Sequence, residues 1–256
     1  MELPKASNQF FAETGAISRF TTWFFHEVFR PRYEVAEFFR QCYAIGYKSL
    51  PLIAVTGFIM GLVLTMQLRP NMLEYGVEAK LPEIVSLAVV REIGPVITAL
   101  IFAGRVGSGI GAELGSMKVT EQIDAMEVSG TNPYKYLVVT RVGATTLMLP
   151  VLVVLSDVIS LYGSYLGVNI KGVTSLDLYF SQVINSLDFS DVLPAIIKTF
   201  FFGFAIGIVG CYKGFYSSKG TEGVGKSANS SVVLSSLIIF IIDLLVVQVT
   251  DILGLN

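Results

Sequence analysis

The chain has 256 residues, 53% of them hydrophobic and 15% charged, with a mean hydropathy of +0.66 and a net charge of -2. Soluble domains carry about 25% charged residues, so an ordinary soluble globular protein is excluded, and the lack of a basic stripe excludes nucleic-acid binding. Cys42 and Cys211 give no disulfide framework, and the polar opening, residues 1–9, does not read as a signal peptide.

Residues 10–41 are rich in aromatics, from Phe20, Trp23, Phe24, Phe25 and Phe29 to Tyr33, Phe38 and Phe39. Arg19, Glu27, Arg30, Arg32, Glu34, Glu37 and Arg40 interrupt them, so the segment is too charged to span a bilayer. It predicts an amphipathic helix in the membrane interface, broken or re-aimed at Pro31. Such a helix is either a plain anchor or an elbow that helps two subunits meet. Five stretches of about 20 residues then read as membrane spans, at 50–68, 84–103, 136–161, 192–212 and 232–249. The fold class is all-α: a polytopic membrane protein, with residues 1–48 an interfacial segment and 49–256 the transmembrane part of one domain.

Orientation follows from the Lys/Arg bias. Lys5, Arg19, Arg30, Arg32, Arg40 and Lys48 precede span one. Arg105, Lys118, Lys135 and Arg141 follow span two, and Lys213, Lys219 and Lys226 follow span four. The opposite side has Arg69, Lys80 and Lys171. The bias puts the N-terminus in the cytoplasm and the C-terminus on the far side.

Span two carries Arg91-Glu92 at its middle. One charge there costs roughly 2.5–3.5 kcal/mol on insertion scales, so the pair must face protein, water or a polar ligand. Lys198 and Asp243 place further charge in spans four and five. Pairing of Arg91, Glu92, Lys198 and Asp243 in one polar cavity would offset their cost. Pro95, one turn after Glu92, predicts a kink or an interrupted helix.

Residues 104–133 read GRVGSGIGAELGSMKVTEQIDAMEVSGTNP. Gly107, Gly111 and Gly115 repeat at GxxxG spacing and favour close helix packing. Residues 113–128 have helical periodicity, with Leu114, Met117, Ile123 and Met126 apolar and Glu121, Asp124 and Glu127 acidic. A short amphipathic helix of this kind suits docking into a partner's groove, although a solvated surface helix would show the same pattern. Gly57 and Gly61, and Gly203 and Gly207, also have small-xxx-small spacing. Residues 220–227, GTEGVGKS, fit the P-loop pattern, but the strand, helix and acidic strand a nucleotide site needs have no room there. Catalytic signatures are absent, and the only histidine is His26.

The run VVREIGPVITALIFAGRVGSGIGAELGSMKVTEQIDAMEVSGTNP, residues 89–133, resembles the MlaE (YrbE) family of ABC permeases, and the likeness extends over most of the chain. The resemblance implies a homodimer in the bacterial inner membrane that moves phospholipids or related lipids between inner and outer membranes. ATP is bound and hydrolysed by a separate cytoplasmic ABC ATPase, so the chain itself needs no cofactor. A periplasmic ring of MCE-domain lipid-binding proteins is implied as a further partner, and a small STAS-type subunit is compatible. The resemblance maps the family's coupling helix onto 113–128, with Glu113, Met117, Glu121, Asp124 and Met126 as ATPase-coupling residues. It places Leu64, Asn71, Met72 and Tyr75 at a lipid pocket, with Arg91 and Glu92 beside them and Lys198 and Asp243 as intramembrane charges. An ion-coupled secondary transporter of an amphipathic substrate is the main alternative, disfavoured by five spans without an inverted repeat. A lipid-metabolising membrane enzyme would need an acid/base or metal constellation, and none is apparent.

Overall fold

The computed structural model describes residues 5–31, 33–170, 172 and 174–254; Arg32 and Lys171 of the charge bias lie outside them. Every regular element among the described residues is helical. In chain order these are α1 (Lys5–Val28), α2 (Val35–Glu74), α3 (Leu81–Ala88), α4 (Gly94–Phe102), α5 (Ser108–Val119), α6 (Gln122–Val128), α7 (Thr140–Asn169), α8 (Leu176–Ser186), α9 (Phe189–Phe215) and α10 (Thr221–Ile252). Three π-helical turns join or extend them, at Val89–Ile93, Ala103–Gly107 and Tyr134–Val139. Five helical segments are long and apolar enough to cross a membrane: Val35–Glu74, Glu78–Val119, Tyr134–Asn169, Phe189–Phe215 and Thr221–Ile252. They contain the five expected spans, but each runs well past the expected limits.

The chain forms two compact units. One contains the described residues of Met1–Ile45, Ala103–Thr146 and Phe204–Leu237; the other contains those of Gly46–Phe102, Leu147–Gly203 and Ile238–Asn256.

In the first unit α1 is docked on protein as well as amphipathic. Phe20 and Phe24 are buried, and the Phe20 ring meets Tyr134, Tyr212 and Phe215 edge-on or tilted. The Tyr134 hydroxyl donates to the Phe20 carbonyl at 2.6 Å. Phe25 and Phe29 remain exposed, and half-exposed Trp23 stacks on Tyr134. Part of the expected interfacial aromatic face is therefore an internal seam. The break at Pro31 is as expected, since α1 ends at Val28 and α2 starts at Val35. Asn132 explains itself here: its amide donates to buried Glu27 at 3.1 Å while its carbonyl oxygen accepts from the Lys135 N–H.

The glycine-rich stretch does not lie in a connection as expected. Residues through Val119 prolong the second membrane segment. The small side chains give the reason. A Cβ on Gly111 would come within 2.6 Å of Ser231 Oγ, and one on Gly115 within 3.0 Å of Ser227 Oγ. These glycines let α5 press against α10, and Ser227 donates to the Gly111 carbonyl at 2.8 Å. The same contact disposes of the P-loop pattern. Residues 221–227 are the first turns of α10, and the serine that would face magnesium is buried against α5.

In the second unit α2 and α7 approach closely. A Cβ on Gly61 would sit 1.8 Å from the Ser160 carbonyl oxygen, and one on Gly57 would meet Ser156 at 2.7 Å. The Gly57/Gly61 spacing thus serves contact within the chain. Thr65 and Ser164 continue the seam with their hydroxyls 2.6 Å apart. Beside it Leu81, Val85, Val89, Leu161, Val168, Tyr179 and Val183 form a buried apolar cluster. Tyr179 and Val183 belong to α8, a helix with no counterpart in the expected spans. Ser175 caps it by accepting the Leu178 N–H at 3.3 Å.

Candidate functional site: charged clusters inside the membrane segments

The first π-turn shapes the second unit's charged site. The Gly94 N–H reaches back to the Val89 carbonyl, one residue further than an α-helix allows, immediately before Pro95. Pro95 has no N–H to give, and the widened turn absorbs the interruption. No break follows, since α4 continues from Gly94. The turn carries Arg91 and Glu92, and both reach α9. Glu92 Oε2 lies 2.7 Å from Lys198 Nζ, and Arg91 Nε lies 2.9 Å from Asp191. Asp191 and Lys198 are two turns apart on α9, so they share a face.

Lys198 is 1% exposed and also meets Asp243 of α10 at 2.8 Å. One ammonium therefore bridges two carboxylates from different helices. The expectation that these four charges compensate one another is corrected in detail. Lys198 takes both Glu92 and Asp243, while Arg91 pairs with Asp191. The cleft between them is lined by Arg91, Glu92, Asp191, Lys198, Val246 and Thr250, among others. Its volume is about 20 Å³, room for little more than a water molecule.

The other expected lipid-site residues fall elsewhere in the unit. Leu64 and Met72 pack, partly buried, against the apolar cluster of α3, α7 and α8. Asn71 and Tyr75 are exposed at the end of α2, Tyr75 at 76%. Close to them Arg69 is buried, donates to the Val168 carbonyl at 2.9 Å and pairs with Glu78 at 2.6 Å.

The expected coupling helix is two helices. Residues 113–119 end α5, and Gln122–Val128 form α6 by themselves. Glu121 makes the corner with a φ of 59°, a left-handed conformation rare for a residue with a side chain. Leu114 and Ile123 are buried, Met117 and Met126 half-buried, and Glu121, Asp124 and Glu127 exposed. Lys118 spans the corner to Asp124 at 2.8 Å. Glu113 faces the other way: it accepts from Arg141 at 2.8 Å, and Arg141 is 2% exposed.

Asp157, Asp191 and Arg141 were not singled out from sequence as site residues. Asp157 sits in an apolar run of span three, and the signal that flagged Asp243 applies equally to it. Asp191 fell just outside the expected span, although its spacing of seven from Lys198 was visible.

The MlaE permease family matches residues 38–249. A probable ABC transporter permease protein of Rickettsia felis is 38% identical over 248 residues, covering 95% of this chain and 94% of the relative. A probable ABC transporter permease of Synechocystis is 38% identical over 197 residues, 77% and 75% of the two chains. The intermembrane phospholipid transport system permease protein MlaE of Haemophilus influenzae is 34% identical over 212 residues, 82% and 81%. With the match spanning all five membrane segments and the charged cluster between them, the chain belongs to the MlaE permease family.

Proposed function

We propose that this chain is the inner-membrane subunit of an ABC transporter that moves phospholipids between membranes, with ATP hydrolysed by a separate subunit. The observation that carries this reading is the family match over the charged membrane segments, joined to the name of the Haemophilus relative. The chain works as a homodimer with its N-terminus in the cytoplasm, as the Lys/Arg bias supports. MCE-domain proteins receive or deliver the lipid on the far side, and a STAS-type subunit joins the ATPase. In the apolar stretch of α10 only 11% of residues are buried, against 56% in α9. A second copy or lipid would cover that face.

In this reading Leu64, Asn71, Met72 and Tyr75 contact acyl chains and the glycerol region, while Arg91 and Glu92 meet the headgroup. Lys198 and Asp243 hold Glu92 in place. The docking surface for the ATPase is α6 with the end of α5. Exposed Glu121 and Asp124 meet the ATPase, half-buried Met117 and Met126 back them, and Glu113 ties the surface to buried Arg141. Closure of the ATPase would move these helices, and the lipid space would shrink.

The test is affinity purification from the native membrane, with mass spectrometry of co-eluting lipid and an ATPase assay with and without the partner. The expected result is a distinct ATPase polypeptide, bound phospholipid, and no hydrolysis by the isolated chain. Hydrolysis by the isolated chain would overturn the reading. So would lipid movement driven by a proton gradient without ATP, which would make the chain a secondary transporter.

A further inference from the structure

Asp157 of α7 belongs to none of the ion pairs of the second unit. Its Oδ1 is buried and has no hydrogen-bond partner. The carboxylate rests on Gly94, where a Cβ would come within 1.9 Å of Oδ1, so a side chain at that position would evict it. Among the described residues, three carboxylates (Glu92, Asp191 and Asp243) pair with two cations, Arg91 and Lys198, and a fourth, Asp157, lines the neighbouring recess. The ion pairs account for three of the acids. The fourth keeps an oxygen without a partner in apolar surroundings, where an unmatched polar group is expensive.

Asp157 lines a recess of about 210 Å³ whose other walls include Val90, Pro95, Val153, Leu161 and Ile196. Ala195 borders both this recess and the cleft of Arg91 and Lys198. At the recess Val154 and Val158 are 44% and 57% exposed, an apolar edge. The walls offer a metal ion no second carboxylate, and Ca²⁺ or Mg²⁺ needs six or more oxygens. What suits the recess is a cation that brings its own apolar chain and can donate hydrogen bonds to a lone carboxylate.

We infer that the Asp157 recess is a subsite for a primary ammonium group borne on a lipid, the chemistry of an ethanolamine headgroup. This rests on the phospholipid reading above and adds a headgroup preference to it. A primary ammonium offers three N–H donors. A trimethylammonium headgroup carries the charge without a donor, and a glycerol headgroup carries no cation.

The experiment reconstitutes the purified complex in nanodiscs of equal parts phosphatidylethanolamine, phosphatidylcholine and phosphatidylglycerol, then measures retained lipid by mass spectrometry after detergent exchange. The wild type is expected to retain the ethanolamine lipid about ten- to a hundredfold over the other two, the range a hydrogen bond to a charged group supplies. Asp157→Asn should bring that ratio to one with total phospholipid unchanged. A ratio of one in the wild type, or an undiminished preference in Asp157→Asn, overturns the subsite. Should Asp157→Asn fail to assemble, Val154→Phe narrows the recess without touching its charge; it too should abolish the preference, and a retained preference overturns the subsite. A wild type that retains lipid without preference sinks only this inference, whereas one that retains no phospholipid sinks the transport reading with it.

Discussion

The most deeply buried cation of each unit, Arg141 in the first and Lys198 in the second, is treated differently. Arg141 in the first unit meets one carboxylate, Glu113, which is 54% exposed, and also donates to the Leu137 carbonyl at 3.1 Å. Lys198 in the second unit meets two carboxylates, Glu92 and Asp243. Arg141 with Glu113 is a balanced brace between α5 and α7. Lys198 sits in a surplus of acid, an arrangement poor for stability alone and suited to a site that handles charged ligands. One chain thus holds a charge-balanced pair and an acid-rich one.

The sharpest way to break that comparison is to remove each cation. Lys198→Ala strands Glu92 and Asp243 together, and because Asp243 is only 19% exposed the loss approaches that of one partner of a buried pair, about 3 kcal/mol. The variant should unfold at markedly lower temperature in detergent, or fail to assemble; an unchanged melting temperature would show that the carboxylates need no counter-charge. Arg141→Met should cost less, about 2 kcal/mol, because exposed Glu113 can be solvated once its charge-assisted bond is gone. Equal losses in the two variants would erase the distinction drawn between the units.

Smaller effects sharpen the assignment of the corner between α5 and α6. Glu121→Gly removes a charge from the proposed docking surface and relieves a left-handed side-chain conformation of about 1 kcal/mol. Thermal stability should rise slightly while ATPase association weakens. Tighter association would place the docking surface elsewhere. Lys226 is exposed on α10, so Lys226→Ala should shift stability by no more than about 0.5 kcal/mol and leave ATP binding by the whole complex unchanged. Lost ATP binding would revive the P-loop pattern.

Sequence carried the architecture well where hydrophobic runs were long. All five spans were legible, as was the break at Pro31, because bilayer crossing imposes about 20 apolar residues. It misplaced the limits where helices continue through polar or small residues. Gly104, Gly107, Gly111 and Gly115 look like a connection because glycine lowers helix propensity, yet at Gly111 and Gly115 close packing of α5 on α10 offsets the lost propensity. α8 escaped notice because 11 residues are too few for a span, and its apolar face is legible only beside α3. The charges were visible one by one. Their pairing was not, because the π-turn at Val89–Ile93 adds a residue to the helical period and re-aims Arg91 and Glu92 toward α9.

The central claim is that the charge cluster acts on lipid while energy comes from a separate ATPase. Its most direct test is ATP-driven transfer of fluorescent phospholipid out of proteoliposomes holding this chain and its ATPase subunit. The comparison sets wild type against the variant combining Glu92→Gln, Lys198→Met and Asp243→Asn, in which the three linked charges are removed together and none of the trio is left without its partner. The account predicts a folded variant that keeps its ATPase and its basal hydrolysis but moves lipid at a small fraction of the wild-type rate. Undiminished ATP-driven transfer by that variant would contradict it.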